Sequence, residues 1–306
     1  MTFVVPVPNK KIELSMGDGA IISVRVHGND NGPRIFFGNG NGFAVDGYYP
    51  FWGKLLKYFE VVVFDSRNHG QNPLAASGLA GHTYAQMVLD LNRIFSEVNE
   101  RLGKKTNIGA FHSMSGRTAM KHACEIGFVW DALILFDPPN VPPGGHREYD
   151  RMNYFETKLN EWALSRSNHF GDPTELAKQY KNNRAHSTWV AGSHELMAHA
   201  VLRKNEKDGT WLLACPREYE ASIYMQAMTL NLWPTKKMIG GPFKLIACDP
   251  NVAGAPGPAF ANQALAKDMD YEYECIPNTG HLLQLQKPQE CLEAMLSYIK
   301  KIGINF

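Results

Sequence analysis

Asn107-Ile108-Gly109-Ala110-Phe111-His112-Ser113-Met114-Ser115-Gly116 is the stretch on which the reading of this chain turns. A short apolar run meets a serine, and helix-forming residues follow. A serine hydroxyl is a poor nucleophile until it is exposed, oriented and set beside a base. A sharp turn between strand and helix lifts the side chain above the sheet edge and aims the next backbone N–H groups at the reacting atom. Such a turn crowds its own backbone, so small residues are wanted two places to either side. Ser115 and Gly116 meet that need after the serine, whereas Phe111 stands where glycine is usual. Ser113 is the candidate nucleophile, since Ser115 fills a position that the turn reserves for a small side chain.

The 306 residues carry 31 basic and 30 acidic side chains, a formal charge of +1. That balance shows no basic stripe for nucleic acid and no acidic tail. Hydrophobic residues make up 44% of the chain, enough for a large buried core. The five cysteines (124, 215, 248, 275 and 291) are odd in number, widely spaced and form no C-x-x-C pair, which points to reduced thiols. The N-terminal Met1-Thr2-Phe3-Val4-Val5-Pro6-Val7-Pro8 lacks a basic segment, and its apolar run is too short for a signal peptide. No stretch has the length of a membrane span. The expectation is a cytoplasmic protein that acts on a small molecule; composition leaves its oligomeric state open.

Short β-rich runs alternate with helical patterns: Ile12–Ser15, Ile21–His27, Arg34–Phe37, Val61–Asp65, Asn107–Ala110 and Ala132–Phe136, then Phe243–Ala247 and Tyr271–Ile276. Between Thr83 and Leu102, apolar residues recur every three or four positions, predicting an amphipathic helix, and a last helix runs from about Pro288 to Lys301. Alternating strands and helices imply a mostly parallel sheet covered on both faces. From Pro138 the pattern changes. A proline- and glycine-rich run leads into helical stretches rich in aromatics, including Trp162, Tyr180 and Trp189 with Met197 nearby. The expectation is a core of residues 1–137 and 236–306 with a mainly helical insertion, 138–235, lying as a lid over Ser113.

Ser113 needs a base, and Gly280-His281 follows the last predicted strand, at the same sheet edge. It also needs donors for a developing oxyanion. Phe37-Gly38-Asn39-Gly40-Asn41-Gly42 follows an early strand, and its glycines let the backbone approach a substrate closely. The backbone amides of Asn41 and Met114 are the expected donors. That spacing is not the G-x-G-x-x-G of a dinucleotide site. An acid must hold the imidazole tautomer. Two candidates stand at strand ends, Asp137 before Pro138 and Asp249 before Pro250, and the residues leave the choice open. His194-Glu195-Leu196-Met197-Ala198-His199 imitates a zinc helix, but its histidines are five apart and diverge by roughly 140°. Neither metal nor organic cofactor is expected.

Together these pieces resemble the α/β-hydrolase superfamily over nearly the whole core. Phe111-His112-Ser113-Met114-Ser115-Gly116 is similar to that family's G-H-S-M-G-G, Asp65-Ser66-Arg67-Asn68-His69-Gly70-Gln71-Asn72 to its D-x-R-G-x-G-x-S loop, and Asn39-Gly40 to its His-Gly. The order Ser, Asp, His is also the family's. Its usual acid position falls on Asn251, while some members carry the acid one strand earlier, about where Asp137 stands. The resemblance implies an eight-stranded, mostly parallel sheet with a helical cap. It also implies a serine hydrolase that cleaves an ester-like bond of a small or medium, partly apolar substrate through a Ser-His-Asp triad and an acyl-enzyme. A cofactor-free lyase or perhydrolase would use the same residues, and a non-catalytic small-molecule receptor would keep the same fold. Ala214-Cys215-Pro216-Arg217-Glu218-Tyr219-Glu220-Ala221 resembles a stretch of a bacterial esterase subgroup and names no substrate.

Overall fold

Period-two alternation of bulky side chains builds the central sheet. The computed structural model describes residues 3–306; Met1 and Thr2 of the N-terminal run lie outside them. Eight strands form the sheet: β1 Lys10–Ser15, β2 Ile21–Gly28, β3 Arg34–Gly38, β4 Glu60–Phe64, β5 Asn107–His112, β6 Ala132–Phe136, β7 Phe243–Cys248 and β8 Glu272–Ile276. Their order is β1-β2-β4-β3-β5-β6-β7-β8. The pairs β1·β2 and β2·β4 are antiparallel, and every other neighbouring pair is parallel. Ile35, Phe37, Val61, Val63, Ile134 and Phe136 send their side chains into one core. Phe36, Val62, Phe64, Leu133 and Leu135 send theirs into the other. Both faces are therefore buried, as a parallel sheet requires.

The helix after β4 runs Tyr84–Leu102, and the Thr83 side chain caps it by accepting from the Gln86 amide at 3.2 Å. The last helix is Pro288–Lys301. The insertion contains the helices Tyr149–Ser165, Pro173–Asn182, Ser193–Val201 and Arg217–Ala227. It also holds a small antiparallel sheet of His169–Phe170, Leu202–Lys204 and Trp211–Leu213. Strands of two or three residues are too short to show alternation, so the sequence reading of a mainly helical insertion named no strand there. Arg117, on the helix Ser113–Glu125, fixes the insertion to the core. Its guanidinium meets the buried Glu156 carboxylate at 2.5 Å and also bonds the Pro139 carbonyl.

Phe111 is accommodated by the residue opposite. In the β3–β5 register Gly38 pairs with Phe111. The ring packs against Phe64 and Trp130. A side chain at Gly109 would meet the Phe111 ring and the Leu133 methyl, each at 2.8 Å. Glycines at 38 and 109 thus leave the volume that a bulky residue two places before the serine needs. Gly109→Ala should overpack this spot and cost about 1–3 kcal/mol. Phe111→Leu in the same chain should recover part of the loss. Urea denaturation of the two variants measures both effects, and equal stability of Gly109→Ala and the parent chain would contradict this account.

Candidate active site

Three chain segments meet at the carboxyl edge of the sheet. His112 ends β5 and pairs with Phe136, which ends β6. The next residue of each strand, Ser113 and Asp137, turns into the left-handed region, with φ of 53° and 46°. Such a backbone is strained for a residue with a Cβ and holds only where the surroundings over-determine it. At Ser113 it forms the sharp entry to the helix Ser113–Glu125. A Cβ built at Gly40 would lie 3.3 Å from the Ser113 Cβ, so the loop after β3 closes over the serine as only glycine permits.

His281 follows β8 and reaches both neighbours. Its Nε2 lies 2.9 Å from the Ser113 Oγ, and its Nδ1 lies 2.6 Å from the Asp137 Oδ2. The Asp137 side chain is fully buried. Oδ1 accepts from the Asn262 amide at 3.0 Å and the Cys248 backbone N–H at 3.3 Å, and Oδ2 accepts from the Cys248 thiol at 3.1 Å. Burial works to raise its pKa, but the bond from His281 and those from Cys248 outweigh it and hold the carboxyl below the usual range. Asp249 makes no such contact. Its carboxylate accepts from the backbone amides of Asn251 at 2.9 Å and Asn278 at 2.8 Å, which lowers its pKa. Asn278 belongs to the loop that delivers His281, so Asp249 ties that loop to the end of β7.

Met114 lies in the first turn of its helix, where backbone N–H groups have no intrahelical partner. On either side of Asn41, the Gly40 N–H donates to the Tyr48 hydroxyl at 3.3 Å and the Gly42 N–H to the His69 Nε2 at 3.2 Å. The Asn41 side chain donates to the Glu220 carbonyl at 2.8 Å. The sequence had given no part to His112. Its Nε2–H donates to the His281 carbonyl at 2.9 Å, which leaves Nδ1 to accept from the Tyr48 hydroxyl, also at 2.9 Å. A buried imidazole therefore connects the Gly40 loop to the backbone of His281. Adjacency to Ser113 was the signal for His112; Cys248 and Asn262 carried none, because β7 and the helix Gly257–Met269 converge on Asp137 only in three dimensions.

Ser113 and His281 open into a mostly apolar cavity of about 610 Å³. Phe155, Leu159, Trp162 and Tyr224 of the insertion line it, with Val252 and Pro256 opposite. Of the aromatics singled out in the sequence, Trp162 lines the cavity, whereas Tyr180 and Trp189 pack with Phe43 and His186, and Met197 packs against Gly47. His194 of the zinc-like segment bonds the His186 carbonyl. His69, His82 and Cys215 do gather within ligand distance of one another. The His69 Nε2 lone pair, however, takes the Gly42 N–H and the His82 Nδ1 lone pair takes the Asn68 amide, so neither imidazole turns a free lone pair to a cation.

The chain matches the alpha/beta hydrolase family model over residues 26–294 and belongs to that family. E-2-(acetamidomethylene)succinate hydrolase is similar in structure, with a TM-score of 0.75 at 16% identity over 95% of this chain and 99% of that one. The thioesterase domain of the curacin biosynthetic pathway gives 0.68 at 16% identity over 94% and 99%. A carboxylesterase structure from the thaumarchaeon Nitrososphaera gargenis gives 0.68 at 14% identity over 95% and 98%. No curated protein matches the chain in sequence. Among the described residues, no helix is long and apolar enough to cross a membrane.

Burial pushes His69 down to about 4, His82 to about 2 and His112 to about 3. All three stay neutral in the folded chain where an unfolded imidazole, at about 6.5, has taken up its proton. The unfolded chain then binds more protons, so this contribution to stability is full above about pH 6.5 and is lost as pH falls towards the folded values. The urea midpoint should therefore be lower near about pH 5 than near about pH 7.5, and His112→Gln should reduce the difference. Midpoints that do not move with pH would contradict the assignment.

Proposed function

We propose that this alpha/beta hydrolase family member is a serine hydrolase that cleaves an ester-like acyl bond with Ser113 as nucleophile, His281 as base and Asp137 as acid. The observation that carries this reading is the continuous path from the Ser113 Oγ through both His281 nitrogens to the Asp137 carboxylate, at 2.9 and 2.6 Å. In the proposed reaction His281 Nε2 takes the hydroxyl proton as Oγ attacks the carbonyl carbon. The Asn41 and Met114 amides receive the oxyanion. Protonated His281, held by Asp137, gives its proton to the leaving group. The same base then activates water against the acyl-enzyme. Residues 138–235 act as the cap, and Phe155, Leu159 and Trp162 favour a substrate with a small or medium apolar part.

The geometry serves esters, thioesters and amides alike; the structural relatives include a thioesterase domain and carboxylesterases. Fluorophosphonate labelling followed by peptide mapping should mark Ser113, and p-nitrophenyl esters of rising chain length should rank the acyl group. Ser113→Ala should lower kcat by roughly 10⁴–10⁶ without loss of fold, and a fully active variant would overturn the reading. Asp137→Asn should lower kcat by up to about 10⁴, while Asp249→Asn should change it little. The reverse order would move the acid to β7. Trp162→Ala should reorder the chain-length preference more than it changes the melting temperature; an unchanged ranking would remove the cap from substrate selection.

A further inference from the structure

The Cys215–Glu220 segment is not used by the chemistry above, yet it delivers a buried carboxylate to the loop after β3. Glu220 is 1% exposed, on the helix Arg217–Ala227 of the insertion. Its backbone carbonyl takes the Asn41 side-chain amide at 2.8 Å. Its carboxylate fills the space where a Gly42 side chain would be, since a Cβ there would come within 2.3 Å of Glu220 Oε1. Gly42 has φ of 72°, which this path requires. Arg166, also buried, donates to Glu220 Oε2 at 2.9 Å, and the Tyr224 hydroxyl donates to Oε1 at 3.3 Å.

A buried ion pair carries a large desolvation penalty, and packed apolar residues would fill the same volume at least as well. The pair is therefore weak support for stability, and its placement calls for another role. We propose that Glu220, neutralised by Arg166, is a positioning residue that clamps Gly40–Gly42 from the cap, so that the Asn41 amide faces the carbonyl attacked by Ser113. This rests on the serine hydrolase reading. The two halves of the pair have distinct parts. Glu220 holds the loop through its carbonyl and through its carboxylate, which stays against Gly42 because the charge-assisted bond from Arg166 fixes it there. Arg166 cancels a negative charge that would otherwise stand beside a developing oxyanion.

The test compares the parent chain with Glu220→Gln and the charge-free double variant Arg166→Met/Glu220→Gln, which leaves neither ion buried alone. Two readouts are taken on variants shown by circular dichroism to be folded. The first is kcat and KM on a p-nitrophenyl ester, with inhibition by an alkyl boronic acid that forms a tetrahedral adduct on the serine. The second is hydrogen–deuterium exchange of the peptide spanning residues 38–44. In the double variant, kcat and boronate affinity should fall together by tenfold or more with KM within about twofold, and the peptide should exchange at least tenfold faster. Wild-type kcat with unchanged exchange in the folded double variant overturns the clamp. A change in KM alone also overturns it, because it would place Glu220 in substrate binding. If the parent chain is not labelled at Ser113 by fluorophosphonate, the hydrolase reading fails by itself, and the exchange measurement still decides whether the cap holds the loop.

Discussion

The register of β5 against β6 is the constraint on which the site depends. Because His112 lies opposite Phe136, the residues that follow leave the sheet side by side. Both take a left-handed backbone and lift their side chains to the same edge. One imidazole then bridges them, and that imidazole comes from the loop after the edge strand β8, two places along the sheet from β6. Parallel strands deliver their carboxyl ends together, so three residues distant in the chain meet without any dedicated scaffold. A slip of one residue between β5 and β6 would turn one partner to the opposite face.

The rest of the architecture fixes that edge from both sides. Beneath it, Cys248 and Asn262 engage Asp137, and Asp249 tethers the loop that carries His281. Above it, Tyr48 and His112 connect Gly40 to the His281 backbone. The insertion adds Glu220 against Gly42 and Glu156 against Arg117. The last two contacts join segments distant in the chain, so the sheet core and the insertion are interlocked.

Much of the sheet was legible in the sequence because bulky side chains at alternate positions have to go to opposite faces, as with Val61 to Phe64. The serine turn was legible less from its own segment, since serines often follow apolar runs, than from its company: Gly280-His281 after the last strand and the glycine-rich loop after an early one. The anomaly of Phe111 could not be resolved from the sequence, since its answer lies in Gly38, across a strand pair that only tertiary structure defines. Asp137 and Asp249 looked equivalent, as each follows a strand and precedes proline. They differ in what surrounds them: one is enclosed by His281, Cys248 and Asn262, the other by the amides of its own turn and the next loop. The paired strands of the insertion left no trace because two or three residues cannot establish a period.

Ser113 and Asp137 both keep a backbone conformation that an isolated chain avoids, each at a cost of about 1–3 kcal/mol. That cost is met by packing across the sheet, the helix that follows Ser113 and the loops around His281. Loosening of this packing would remove what holds either residue in that backbone conformation. The contact between the serine hydroxyl and the imidazole is therefore a strain gauge for the whole molecule. On the proposed mechanism, loss of reactivity at Ser113 would register slackened tertiary packing that helix or sheet content does not.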